Sequence, residues 1–251
     1  MNKTSDLAKK IIVALDVGSK EKALLLVKQL EEARVFKVGL RLFSAEGPSL
    51  LQEIKNLGRN VFLDLKLHDI PNTVADAVRV AVRHNAFMLT LHSSGGREMM
   101  QRAAEAAAEE AEKKGTTKPL LLAVTILTSL KDEQLREIGM EEDTLNQVLK
   151  LAKLAKQAGV DGIVCSPQEI EIVKRELGED FLVVAPGIRP SWAAAHDQKR
   201  ILTPLLAIQK GADFLVIGRP IIAAESPQEA YLKIMEELEG AVDTSHGKNS
   251  V

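Results

Sequence analysis

The chain contains the stretch NVFLDLKLHDIPNT at residues 60–73. Its first apolar residues predict a buried β-strand, which then runs into Asp64 and Lys66. Side chains alternate between the two faces of a strand, so Asp64 and Lys66 should point to the same side. Burying two charges costs several kcal/mol per ion unless they are paired and hydrogen-bonded. The stretch therefore predicts either a structural ion pair or a site where charge takes part in chemistry.

Short apolar runs alternate with longer helical patterns on both sides of this stretch, which is typical of parallel strands joined by helical crossovers. The predicted strands are nearly continuously apolar, as expected when both faces of a sheet are buried. They are Ile11–Leu15, Val35–Val38, Val61–Leu65, Phe87–Leu91, Leu120–Thr125, Gly162–Cys165, Phe181–Ala185 and Phe214–Ile217.

Eight such units predict an α/β fold, a single-domain (β/α)₈ TIM barrel over residues 1–240. An open doubly wound sheet is the alternative, although no Gly-x-Gly-x-x-Gly follows the first strand. Residues 241–251 are rich in Ser, Gly, Asn and Lys and are expected to form a disordered tail.

Composition excludes several classes of function. The formal net charge of −2 and an aromatic content of only 3% argue against nucleic acid as a partner. Neither a signal peptide nor a long apolar segment is evident, so we expect a soluble cytoplasmic protein without a membrane partner. The single cysteine, Cys165, excludes an intrachain disulfide, and no spacing of His, Cys and carboxylates suggests a metal site.

Charged side chains occur at the ends of the first three predicted strands. They are Asp16, Lys37, Asp64 and Lys66. Catalytic groups of parallel barrels lie at the carboxyl ends of the strands, so these four should converge on one mouth. A functional site is favoured over a purely structural ion-pair network, which can produce a similar pattern.

Two loops near the end of the chain predict a phosphate site. The loops after strands seven and eight of such barrels often bind phosphate. Here they carry Gly187 with Arg189, and Gly218 with Arg219. Glycine allows close backbone approach, and arginine can donate two hydrogen bonds to phosphate oxygens. Each arginine alone would be an ordinary solvated side chain, but their joint placement indicates a phosphorylated small molecule.

The segment Asp64–Thr73 resembles the signature of the orotidine 5′-phosphate decarboxylase family. The resemblance runs in order from about Ile11 to Glu239. Further matching segments are Ala14–Asp16, Phe36–Gly39, Val124–Ser129, Ala185–Pro190, Asp197–Arg200 and Val216–Pro220.

The resemblance implies conversion of orotidine 5′-monophosphate to UMP and CO₂, the last step of de novo pyrimidine nucleotide synthesis. It implies no metal and no organic cofactor, and a homodimer whose sites are completed by the neighbouring subunit. The implied catalytic network consists of Lys37, Asp64, Lys66 and Asp69. The implied substrate-binding residues are Asp16 and Lys37 at the ribose, Thr128 at the pyrimidine edge, Pro186, and, at the phosphate, Arg189, Gln198, Gly218 and Arg219. Asp69 and Thr73 are implied to reach the neighbouring subunit's site.

Lys66 is the expected centre of the chemistry. Loss of CO₂ leaves a carbanion, which a nearby ammonium group can stabilise and then protonate. Neighbouring carboxylates, Asp64 and Asp69, would keep Lys66 charged. Residues 186–200 form a long loop that could act as a lid. Two alternatives stay open: a Schiff-base aldolase that uses Lys66 on a sugar phosphate, and a barrel that binds a phosphorylated ligand without catalysis.

Overall fold

The computed structural model describes residues 3–193 and 202–245 and forms a closed barrel of eight parallel strands. Each strand pairs with its neighbour in chain order, and β8 closes on β1. The predicted single (β/α)₈ barrel is therefore confirmed, and the open sheet is excluded. The strands are β1 (Ile11–Ala14), β2 (Val35–Gly39), β3 (Asn60–Leu67), β4 (Met88–His92), β5 (Leu120–Val124), β6 (Gly162–Val164), β7 (Leu182–Pro186) and β8 (Phe214–Ile217).

Helices surround the barrel and connect its strands. They are α1 (Lys3–Lys10), α2 (Lys20–Gln29), α3 (Leu40–Glu46), α4 (Ser49–Asn56), α5 (Pro71–Arg83), α6 (Gly96–Lys114), α7 (Asp132–Glu137), α8 (Thr144–Gln157), α9 (Ile170–Leu177), α10 (Pro204–Gln209), α11 (Arg219–Ile222) and α12 (Pro227–Ser245). The short helix α11 follows β8 directly, where a parallel barrel commonly places an additional helix.

The core has two layers. Inside the barrel, Ile12, Val35, Phe62, Leu122 and Val216 belong to one apolar cluster that fills the space between the strands. A larger cluster fills the shell between the strands and the helices. Because the same strands contribute to both layers, their side chains are apolar on both faces, which explains the continuous apolar runs in the sequence.

Two carboxylates join strands at the floor of the barrel, the end where the strands begin. Asp161 precedes β6, where its Oδ2 accepts a hydrogen bond from Leu121 N at 2.8 Å and its Oδ1 lies 2.8 Å from Lys118 Nζ. Asp213 precedes β8, where its Oδ2 accepts from Val183 N at 2.7 Å and lies 2.8 Å from Lys174 Nζ. Each carboxylate thus fixes the start of its own strand against the neighbouring strand.

The last helix, α12, continues to Ser245, so helical structure extends beyond residue 240. The disordered tail stays a prediction for the final residues, because 246–251 lie outside the described part of the chain. Within residues 3–193 and 202–245, no helix is long and apolar enough to cross a membrane.

Candidate functional site

A chain of alternating charges crosses the mouth of the barrel from β1 to β3. Lys37 Nζ lies 3.2 Å from Asp16 Oδ1 and 3.4 Å from Asp64 Oδ2. On the other side of the same carboxylate, Lys66 Nζ donates a hydrogen bond to Asp64 Oδ1 at 2.8 Å. The four charged residues expected at the strand ends are therefore in contact, and the order of signs along the chain is Asp, Lys, Asp, Lys.

Asp64 is the most enclosed acid of this network. Its side chain is 12% exposed, against 61% for Asp16. Burial by itself would raise the pKa of Asp64, but the charges of Lys37 and Lys66 and the hydrogen bonds from Lys66 and Thr90 hold that pKa below its ordinary value. Asp64 is therefore ionised at neutral pH and carries the negative charge between the two ammonium groups.

The backbone of Lys66 departs from the regular strand. Its φ is +52°, a left-handed conformation that a residue with a long side chain rarely adopts. The β3–β4 register shifts at the same place, since Leu63 pairs with Leu89 while Leu67 pairs with Leu91. Bulges of this kind redirect side chains and are often found next to active sites. The bulge thus sets the direction in which the Lys66 side chain points.

The residue at this bulge that sequence reasoning missed is Thr90. It lies on β4, is fully buried, and contacts both the backbone of Lys66 and the carboxylate of Asp64. In the sequence Thr90 is one polar residue in the apolar run of β4, a weak signal that many strands carry.

A cavity of about 550 Å³ opens above the charged network. Its base is apolar and includes Phe62, Val124 and Val216 from three strands. Most of the predicted site residues line it: Asp16, Lys37, Asp64, Lys66, Thr128, Pro186, Arg189, Gly218 and Arg219. The lysine–aspartate network comes from β1 to β3, and the two arginines follow β7 and β8. The cavity therefore has an alternating charged side and a cationic side over an apolar base.

Two predicted residues, Asp69 and Thr73, do not line this cavity in the described part of the chain. Asp69 is exposed, and its Oδ1 accepts a hydrogen bond from Ile70 N at 2.6 Å. In the described part of this single chain, Asp69 forms no ion pair with Lys66. Thr73 is exposed on α5. Gln198 lies outside the described residues, as does the rest of the second half of the loop expected to form a lid, residues 194–200.

No group of three or more His, Cys, Asp or Glu side chains suited to holding a metal ion is found within residues 3–193 and 202–245.

The model of the orotidine 5′-phosphate decarboxylase / HUMPS family matches residues 9–234 of the chain. Two proteins named orotidine 5′-phosphate decarboxylase are similar over nearly their whole length. The one from Syntrophomonas wolfei is 55% identical over 92% of this chain and 98% of that protein. The one from Nostoc is 47% identical over 91% of this chain and 97% of that protein.

Solved structures give the same result at the level of the fold. The crystal structure of orotidine 5′-phosphate decarboxylase from Lactobacillus acidophilus has a TM-score of 0.82 and 37% sequence identity with this chain. The match covers 92% of this chain and 99% of that structure.

Replacing Asp64 should destabilise the protein far more than replacing Asp16. In Asp64→Asn two lysines lose their buried counter-charge, and we expect the free energy of unfolding to fall by about 3 kcal/mol. Asp16→Asn removes an exposed ion-pair partner of Lys37 and should lower the free energy of unfolding by less than about 1 kcal/mol. Urea unfolding of both variants and the wild type at neutral pH measures the two differences, and equal losses would contradict the central role of Asp64.

The Asp64 contribution should also depend on pH. The pKa of Asp64 is lowered in the folded protein from an ordinary value of 3.8, so its contribution is complete above that pH and is lost as the pH falls through the folded-state pKa. The difference in unfolding free energy between wild type and Asp64→Asn should therefore shrink under acid conditions. A difference that stays constant or grows would contradict this assignment.

Proposed function

The chain belongs to the orotidine 5′-phosphate decarboxylase / HUMPS family, and from this premise we propose that it decarboxylates orotidine 5′-monophosphate to UMP and CO₂. The observation that carries the proposal is the Asp16–Lys37–Asp64–Lys66 network, which lines a cavity of about 550 Å³ whose other side is cationic. The proposal accounts for both sides of the cavity, because the substrate has a reacting pyrimidine ring and a phosphate.

Lys66 acts on the reacting carbon. Breaking the bond between C6 of the pyrimidine and the carboxylate leaves an electron pair on C6 while CO₂ departs. An ammonium group fixed near C6 stabilises this negative charge and then transfers a proton to it, which forms the C6–H bond of UMP. The Lys66 Nζ group suits both steps, since it is a cation that lines the cavity and is held by Asp64 at 2.8 Å.

Asp64 and Lys37 set the electrostatics of that step. The ionised Asp64 carboxylate is the counter-charge of the Lys66 ammonium group, at 2.8 Å. Lys37, 3.4 Å from the same carboxylate, offsets the negative charge and reaches Asp16, where the pair is available to ribose hydroxyls. The ion pair with Asp64 also argues against the Schiff-base aldolase, which requires Lys66 as a neutral amine.

The far side of the cavity suits the phosphate. Arg189 follows β7 and Arg219 follows β8, and both line the cavity with Gly187 and Gly218. Guanidinium groups form charge-assisted hydrogen bonds with phosphate oxygens. Phosphate binding so far from the reacting carbon contributes to catalysis when its energy is used to close and orient the site. Thr128, exposed on the loop after β5, would face the pyrimidine edge.

Asp69 and Thr73 act in the site of a second subunit. Both are exposed beyond the end of β3, and neighbouring Ile70 leaves a large apolar side chain 67% exposed. Such a surface is suited to burial between two copies of the chain. In the resulting homodimer, Asp69 would add a second carboxylate near the partner's Lys66.

Lys66→Ala should abolish turnover while it leaves the product-binding groups in place. We expect kcat to fall more than about 10³-fold, because the lost interaction develops mainly in the transition state, and UMP to keep binding. Loss of orotidine 5′-monophosphate absorbance measures turnover, and calorimetry measures UMP binding. Near-wild-type kcat in the variant would remove Lys66 from this role.

Turnover of the wild type should not depend on a metal ion. The wild-type assay is run with and without EDTA, and we expect equal rates.

Arg219→Ala should weaken transition-state binding only for substrates that carry a phosphate. The loss of a charge-assisted contact should raise the activation free energy that corresponds to kcat/KM by roughly 2–3 kcal/mol for orotidine 5′-monophosphate. For orotidine it should change little. Arg136→Ala is a matched control, because Arg136 is an exposed arginine on α7 that does not line the cavity. An equal loss on both substrates would show that Arg219 does not contact the phosphate.

Mixing inactive Lys66→Ala and Asp69→Ala subunits tests the shared site. In a heterodimer one composite site receives both wild-type residues and the other carries both substitutions. Activity should therefore recover towards half the wild-type value per heterodimer. Subunit exchange is verified with a mass-tagged chain, and exchange without recovery would assign Asp69 to its own subunit or remove it from catalysis.

A further inference from the structure

We propose that Thr90 is a positioning residue for the reaction: its hydroxyl group fixes the left-handed backbone of Lys66 and the carboxylate of Asp64 in one arrangement. The inference rests on the proposed function for its kinetic consequence. The hydrogen-bonded arrangement of Thr90, Lys66 and Asp64 follows from the geometry of β3 and β4 alone.

The Thr90 hydroxyl group makes two hydrogen bonds, one as the acceptor and one as the donor. Its oxygen accepts from Lys66 N at 2.9 Å, and its proton is donated to Asp64 Oδ1 at 2.9 Å. A hydroxyl group is both a donor and an acceptor, so one small side chain serves both partners. Asp64 Oδ1 also accepts from Lys66 Nζ at 2.8 Å. The three residues therefore form a closed ring of hydrogen bonds that joins the backbone of Lys66 to its own ammonium group.

The ring explains how Lys66 keeps an unfavourable conformation. A non-glycine residue at φ +52° is disfavoured by a clash of its Cβ with the backbone, and such residues persist only where their surroundings fix them. At the β3–β4 bulge the Lys66 N–H bonds to the Thr90 side chain and so remains satisfied. Without the hydroxyl this part-buried N–H would lose its partner, and the strand would be free to relax.

Thr90 does not act by touching the substrate. It is 0% exposed and does not line the cavity, whereas Asp64 and Lys66 do. Its effect on the reaction must therefore pass through those two side chains. A shift of about 1 Å in a catalytic group can cost on the order of 100-fold in rate, so a buried hydroxyl outside the site can control turnover.

The chain provides a matched control in Thr125. Thr125 is also buried, at 3% exposure, and it lies just after β5 with its hydroxyl 3.4 Å from Val164 O. It contacts neither Lys66 nor Asp64. Thr125→Val therefore reports the general effect of exchanging a buried threonine hydroxyl for a methyl group in this barrel.

The test compares Thr90→Val, Thr90→Ser and Thr125→Val with the wild type on orotidine 5′-monophosphate. We expect Thr90→Val to lower kcat by about 100-fold while KM changes less than about threefold, because alignment rather than binding is lost. Thr90→Ser keeps a hydroxyl group and should recover to within about threefold of the wild-type kcat. Thr125→Val should stay within the same limit.

The outcomes separate this inference from the proposed function. Wild-type protein that binds UMP and leaves orotidine 5′-monophosphate unchanged would contradict the function, whereas active wild type with equal kcat in Thr90→Val and Thr125→Val would contradict the role of Thr90. Rates are expressed per folded site, counted by UMP titration, and Thr90→Ala replaces Thr90→Val if the latter does not fold. A crystal structure of the variant is the readout independent of activity, in which an unchanged Lys66 φ and Lys66–Asp64 contact would also overturn the inference.

Discussion

The Asp64 carboxylate is bound by ammonium groups on both sides, and the arrangement of the barrel mouth follows from that contact. Taking one carboxylate out of water is unfavourable unless opposite charge surrounds it. Lys37 from β2 and Lys66 from β3 supply this charge at 3.4 Å and 2.8 Å. The same contact restricts both lysines, which leaves cations fixed at the edge of a cavity with an apolar base. The two ion pairs that stabilise the buried Asp64 carboxylate therefore also fix two cations beside the cavity.

The fold was largely predictable from the sequence, because parallel strands buried on both faces leave continuous apolar runs. The predicted strands agree with the observed ones to within a few residues at each end. The helical segment between β2 and β3 is divided into α3 and α4, since Gly47 at φ +67° and Pro48 interrupt the helix. The short helix α7 has only six residues, which carry too little periodicity for a helix to be predicted from sequence.

Residue types predicted the contents of the site better than its geometry. Charged residues at strand ends predicted the ion-pair chain from Asp16 to Lys66, because the carboxyl ends of parallel strands must meet. The bulge at Lys66 has no equivalent signal, since no residue type there demands a positive φ. Thr90 could not be singled out for the same reason: its importance comes from a register shift between two strands. Asp69 was expected in the charged network, but in the described part of this chain it is exposed and its carboxylate accepts a hydrogen bond from Ile70 N.

The two carboxylates at the barrel floor also bear on which parts of the barrel can change in sequence. The sequences Gly159-Val160-Asp161 and Gly211-Ala212-Asp213 precede β6 and β8. Each aspartate makes the same kind of contacts, to a lysine and to a backbone N–H of the preceding strand. The same kind of contact is thus made twice, two strands apart, at the end of the barrel opposite the cavity. Because these contacts hold neighbouring strands together where the strands begin, the loops at the opposite end can change in sequence without opening the barrel at its floor.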